Sequence, residues 1–293
     1  MVGALALLLG FGLAASRPEG GALEDPEVKQ CREWIHSHSQ RPATRTALTK
    51  ILSSRTICFD GSIYAWTLKD AMSWAGKVEA DRRRGARLVV RSTGGDADAA
   101  IDFVEKLQRF GAEVTVVDYC MSSCANYFFA GLRRRNVMPG ALILFHGGYS
   151  AKERSDFAKS LDETLRNPGL ASHVSNPGRW RADELKKFDE NVARQKALYR
   201  RVGVDPLVVT GMSSVDEEAI PASDCGRREG APRSFLFFDM KQLRRLGILI
   251  EQGKPLTDPA QADQHLSRYG FPFTACAVPA TYFSAKSKER PLG

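Results

Sequence analysis

Beyond residue 16 the chain of 293 residues has no apolar run near the roughly 20 residues that a membrane-spanning helix requires. A bilayer span is excluded for that part of the sequence. Zinc-finger spacing is missing, and so is any RNA-binding aromatic motif, so the net charge of +8 does not point to nucleic acid. Much of that charge sits in Arg82-Arg83-Arg84 and Arg133-Arg134-Arg135, in turns beside expected strands. These clusters read as solvated surface whose field favours an anionic substrate or the face of a membrane. Charge is absent altogether from residues 1–16, MVGALALLLGFGLAAS. An uncharged Leu/Ala/Gly stretch ending in small residues reads as the apolar core of a secretory signal, cleaved near Ala14-Ala15-Ser16, although the usual positive start is missing.

The hydrophobic share of 43% suffices for a packed core. Residues 17–54 are polar, with Trp34 and Ile35 the one bulky apolar pair before Leu48, and read as a linker with one short helix. The domain is expected over 55–250. It opens at 56–61, TICFDG, as a strand closed by an Asp-Gly turn. Thr67 and Asp70 then stand in capping-box-like spacing before a helix with Leu68, Met72, Ala75 and Val78 on one face. A strand at 88–90, a helix carrying Ala100, Phe103, Val104, Leu107 and Phe110, and a strand at 114–117 follow. That alternation predicts an α/β sheet layered with helices. Further on come a polar region at 149–179, an amphipathic helix at 180–202, a strand at 235–238 and a helix at 240–247. The proline-bearing residues 251–293 read as an irregular surface tail.

The chain is organised around residues 118–131, DYCMSSCANYFFAG, which follow the β-branched run 114–117 and lead into an apolar stretch that a helix can bury. A strand turning into a helix at Ser122 presents a hydroxyl where free backbone N–H groups and the helix dipole favour developing negative charge. An acyl-transfer nucleophile needs that environment. Upstream, Ser92-Thr93-Gly94-Gly95 follows a strand, and paired glycines let a backbone approach a substrate closely. Downstream, the apolar run 141–145 ends in His146, a base placed at a strand end.

The order SxGG, then a serine between strand and helix, then a histidine 24 residues later resembles the proteolytic subunit of Clp protease and the wider ClpP/crotonase superfamily. The small residues and cysteines around the serine are similar to the exported, periplasmic branch. The resemblance covers about 55–250 and implies a ClpP/crotonase-like fold of repeated β-β-α units. It implies Ser122 as nucleophile, His146 as base, and the backbone N–H groups of Gly95 and Ser123 as an oxyanion hole. Thr93 stands where the family has proline, and Cys124 where it has glycine. For the third catalytic residue, an aspartate, the candidates are Asp216, in SSVDEE, and Asp224. In the family the region matching 149–179 is a handle that packs subunits together, so a homo-oligomer is implied.

Six cysteines in an exported chain suggest disulfides. Cys120 and Cys124 bracket Ser122 and read either as a bonded pair or as two buried thiols. Cys31, Cys58, Cys225 and Cys276 leave three pairings open. Neither a cofactor nor a metal enters the reading, since Cys-x₃-Cys with one nearby histidine is poor zinc spacing. The function expected is a periplasmic or secreted serine peptidase acting on peptides or unfolded segments without ATP. A catalytically silent scaffold of the same fold and a crotonase-type acyl-CoA enzyme are the rival readings.

Overall fold

The computed structural model describes residues 21–38, 47–81, 85–212, 215, 220–228, 230–279 and 282–283. The signal-like segment 1–16, the arginine run 82–84 and Asp216 lie outside the described residues. Among the described residues, no helix is long and apolar enough to cross a membrane.

A six-stranded sheet runs in the order β1 (Leu48–Ile51), β2 (Thr56–Ile63), β3 (Arg87–Gly95), β4 (Glu113–Met121), β5 (Arg134–Val137), and β6 (Leu142–Leu144) pairs with the far end of β4. Only β1 is antiparallel to its neighbour; the β2–β3, β3–β4, β4–β5 and β4–β6 pairings are all parallel. Parallel strands need crossovers, and α2 (Lys69–Ala80) and α3 (Ala97–Arg109) supply them. The stretch β1-β2-α2 has the expected β-β-α order, as do β5 and β6 with the helix Ala151–Arg166 that follows them, whereas β2-α2-β3-α3-β4 is a plain strand–helix alternation.

Alternate residues of the central strands sort into two cores, as a period of two requires. Ile57, Phe59, Leu88, Val90, Val114 and Val116 face α2 and α3, while Cys58, Val89 and Val117 face α1 (Pro26–Ser37). Burial on both faces explains why these strands read as continuous apolar runs. The 17–54 stretch is therefore more than a linker. Its helix packs Val28, Cys31 and Ile35 against the sheet, and the Cys31–Cys58 disulfide fixes it there.

Three local expectations are corrected. The Asp60-Gly61 pair does not turn the chain, because β2 continues through it with a register shift while the Asp60 carboxylate accepts two bonds from the buried Arg91. Thr67 does not cap α2. Its hydroxyl instead accepts the Tyr64 N–H inside the preceding turn, and Leu68 stands at the helix start without a side-chain cap. Arg135 is not solvated surface. It is 1% exposed, and its guanidinium donates to the carbonyls of Phe129 and Ala130, acceptors that the end of a helix leaves unpaired.

The polar region after His146 forms α4 (Ala151–Arg166) and the short α5 (Pro168–Ala171), which with α6 (Pro177–Val202) make a helical hairpin. After α7 (Leu207–Thr210) come β7 (Arg233–Phe237) and α8 (Met240–Arg245). Residues 251–293 are not an irregular tail as far as they are described. Pro259 opens α9 (Pro259–Arg268) behind the N-cap Asp258, and β8 (Thr274–Ala277) pairs with β7. Leu266, Phe271 and Ala275 pack on Tyr119 and Met121 of β4, and the Cys225–Cys276 disulfide ties the segment down. One of the prolines that read as irregularity, Pro259, marks a helix start.

Candidate active site

Strand β4 stops at Met121, and Ser122 takes φ +55°, a left-handed conformation costly for a residue with a side chain. The surroundings hold it there. Its N–H donates to Leu144 O at 3.0 Å, anchoring the corner to β6, and its own carbonyl accepts Asn126 N–H at 2.8 Å, opening the helical turn Cys124–Phe129. Beneath the corner Cys120 and Cys124 are bonded, with Cα atoms 5.2 Å apart and both side chains fully buried. Of the two readings left open by the sequence, the disulfide is the one the structure contains.

Ser122 Oγ lies 2.5 Å from His146 Nε2. The histidine follows Phe145, whose backbone exchanges hydrogen bonds with Leu236, so it stands at the end of a paired segment. Two amides fix the next residues. Asn126 Nδ2 donates to the carbonyls of His146 and Gly147, each at 3.3 Å, and Gln195 of α6 grips Tyr149, accepting its N–H at 3.2 Å and donating to its carbonyl at 2.9 Å. Gln195 Oε1 also accepts the hydroxyl of the buried Tyr127. Burial lowers the His146 pKa below its ordinary value, and the negative charge of Glu153 partly opposes that. Desolvation dominates, so the imidazole is neutral at neutral pH and its nitrogen can accept a proton.

Gly94 and Gly95 sit beside the nucleophile, both at positive φ. A Cβ on Gly94 would come within 2.5 Å of Met121 O and of Ser122 Cβ, so only glycine allows β3 to lie against the corner. A Cβ on Gly95 would meet Ile63 O at 2.2 Å. Ser123 Oγ donates to Gly95 O at 2.7 Å, which joins the two segments chosen as oxyanion donors.

Ser122, His146, Gly95 and Ser123 are thus brought together, and the aspartate candidates are not. Asp224 lies in the short turn Ala222–Asp224, accepts a hydrogen bond from Ser223 Oγ, and has none to His146 among the described residues. The carboxylate whose charge reaches His146 is Glu153, in the first turn of α4, where Ser150 Oγ accepts its backbone N–H. Ser150-x-x-Glu153 is a helix-start pattern that was legible in the sequence. Gly94 was legible as the first of the glycine pair, whereas Asn126 and Gln195 carried no such signal, because each acts through a contact between distant segments.

No protein-family model matches the chain, and no curated protein matches it either. Among solved structures, the ClpP protease catalytic domain from Plasmodium falciparum is similar at 14% identity with a TM-score of 0.26. The match covers 28% of this chain and 52% of that one, so the chain spans about half the length of the structure it matches. Likeness at that level carries no argument about activity, and the chemistry rests on the residues described above.

Proposed function

We propose that the protein is a serine-type peptidase of the ClpP/crotonase type in which Ser122 and His146 act as nucleophile and base. The observation that carries this is the 2.5 Å approach of Ser122 Oγ to the neutral, half-buried His146 on a corner strained at φ +55°. Strain of this kind costs on the order of 1 kcal/mol or more and clusters at functional sites. His146 takes the hydroxyl proton, the Ser122 oxygen attacks a peptide carbonyl, and the N–H groups of Gly95 and Ser123 face the tetrahedral oxyanion. His146 returns the proton to the leaving amine, and water then releases the acyl group by the same route in reverse. Glu153 favours the imidazolium that forms in between.

The substrates are peptides or unfolded segments, cleaved without ATP, in an exported setting. Three disulfides support that setting, since such bonds persist in oxidising compartments. The α4–α6 hairpin, whose helices are largely solvent-exposed over 151–190, is the surface through which copies of the chain associate.

The reading is tested by hydrolysis of fluorogenic peptides. Ser122→Ala and His146→Ala should each remove nearly all activity, with the double variant little worse than either, because members of one catalytic unit are strongly non-additive. Full activity in Ser122→Ala would overturn it. Asp216→Asn and Asp224→Asn decide the third position. Loss of an orienting carboxylate lowers kcat by about 10⁴-fold, and unchanged activity in both leaves a Ser–His dyad assisted by Glu153.

A further inference from the structure

Trp66 is 61% exposed, yet the turn that carries it is held firmly. Thr67 Oγ1 accepts the Tyr64 N–H at 2.8 Å and shares its own proton between the carbonyls of Ser62 and Tyr64, each at 2.9 Å. The N–H groups of Thr67 and Leu68 both end on Tyr64 O at 3.0 Å. Within this turn the rings of Tyr64 and Trp66 stack, with centroids 5.7 Å apart and planes 4° from parallel. A ring pair ordered before anything touches it loses little freedom when an apolar side chain lies against it.

The turn leaves the sheet at the nucleophile's end. Ser62 pairs with Gly94 and Ile63 with Gly95, Asp96 N–H donates to Ile63 O at 2.7 Å, and Gly94 abuts Ser122. From β4 across β3 to β2 is two strand spacings, about 10 Å, which an extended peptide covers with about three residues. The residues between are small: Gly94 and Gly95, then Ser62, whose hydroxyl bonds that of Thr93 at 3.1 Å.

We propose that the Tyr64–Trp66 stack is a side-chain subsite of this peptidase, receiving an aromatic or large aliphatic side chain of an extended peptide about three residues from the bond that is cut. The proposal rests on the peptidase reading for its substrate class and on the strand register for its place. It makes the stack a determinant of specificity rather than of chemistry.

The test is a set of hexapeptides that differ only in carrying Phe or Ala at one position, scanned along the peptide and cleaved by the full chain. The wild type should favour Phe over Ala by about tenfold in kcat/KM at the position three residues from the cut, the order of an aromatic contact. Trp66→Ala should compress that ratio to about twofold, whereas Leu249→Ala, an equally exposed truncation beside Arg135, should leave it at the wild-type value. A ratio indifferent to Trp66, or no preference at any position, would overturn the subsite. So would dissociation of an oligomer in Trp66→Ala by light scattering, which would reassign the stack to contact between copies. The same peptides titrated by fluorescence anisotropy onto Ser122→Ala, with and without Trp66→Ala, separate the two claims. Trp66-dependent binding without hydrolysis by the wild type sinks the peptidase and keeps the subsite; hydrolysis with a Trp66-independent ratio does the reverse; neither binding nor hydrolysis rejects both.

Discussion

The corner around Ser122 and the α4–α6 hairpin are held by opposite means. At the corner the restraints are largely buried: the Cys120–Cys124 bond, the Ser122 N–H on Leu144 O, the part-buried Ser123 hydroxyl on Gly95 O, and glycines admitting backbone where no side chain fits. The hairpin is laced by surface ion pairs, Arg154 with Asp189 and Arg181 with Asp162, whose side chains are between 36% and 51% exposed, around the stacked rings of Phe157 and Phe188. Exposed pairs of this kind contribute little to stability and weaken with salt. A corner that cannot shift suits bond chemistry, where displacement of about 1 Å can cost about 100-fold. A loosely laced hairpin suits a surface that meets other molecules.

The corner should therefore be brittle and the hairpin tolerant. The largest loss short of removing Ser122 or His146 is expected from Gly94→Val, whose side chain would overlap Met121 O and Ser122 Cβ. A displaced corner then forfeits its oxyanion donors, worth about 10²-fold to 10³-fold in kcat, measured on fluorogenic peptides. Cys120→Ser with Cys124→Ser comes next. Without the bond, the positive-φ serine loses one of its restraints, and kcat should fall by about tenfold or more while the remaining contacts keep the chain folded by circular dichroism. Gln195→Ala should lower kcat by less and leave KM nearly unchanged, because it frees Tyr149 and only indirectly the histidine. Arg154→Ala should change activity within twofold and leave stability nearly unchanged, with any small effect erased by salt. A hairpin as brittle as the corner would break the comparison.

The same contrast predicts a pH profile. Desolvation lowers the His146 pKa, so the competent neutral form persists below the pH at which an ordinary histidine, near 6.5, takes up a proton. Activity should rise with pH through an apparent pKa under that value, and Glu153→Gln, which removes the opposing negative charge, should move the midpoint lower still. An upward shift in Glu153→Gln would contradict the assignment.

Much of the corner was legible in the sequence because its signals are local. The β-branched run, the small residues around Ser122, the glycine pair and His146 closing an apolar run each declare themselves within a few residues. The alternation of strands and helices likewise gave the α/β class. What escaped depends on how the chain packs rather than on local pattern. Arg135 read as surface because a run of three arginines looks solvated, although the helix end it caps lies only five and six residues back. Residues 251–277 read as irregular because prolines dominate the local pattern, whereas the apolar residues that dock them, Leu266, Phe271 and Ala275, find their partners on β4. The carboxylate near His146 was sought on aspartates far downstream, while Glu153 lay seven residues on, at the start of a helix not anticipated in a polar stretch.

The central claim is that Ser122 is an activated nucleophile, and covalent labelling tests it most directly. The full chain is treated with a serine-reactive fluorophosphonate, digested, and mapped by mass spectrometry as a function of pH. One modified residue is expected, Ser122, labelled at a rate that rises with pH alongside peptidase activity and is nearly abolished in His146→Ala. Labelling elsewhere, no labelling, or a Ser122 rate indifferent to His146 would contradict it.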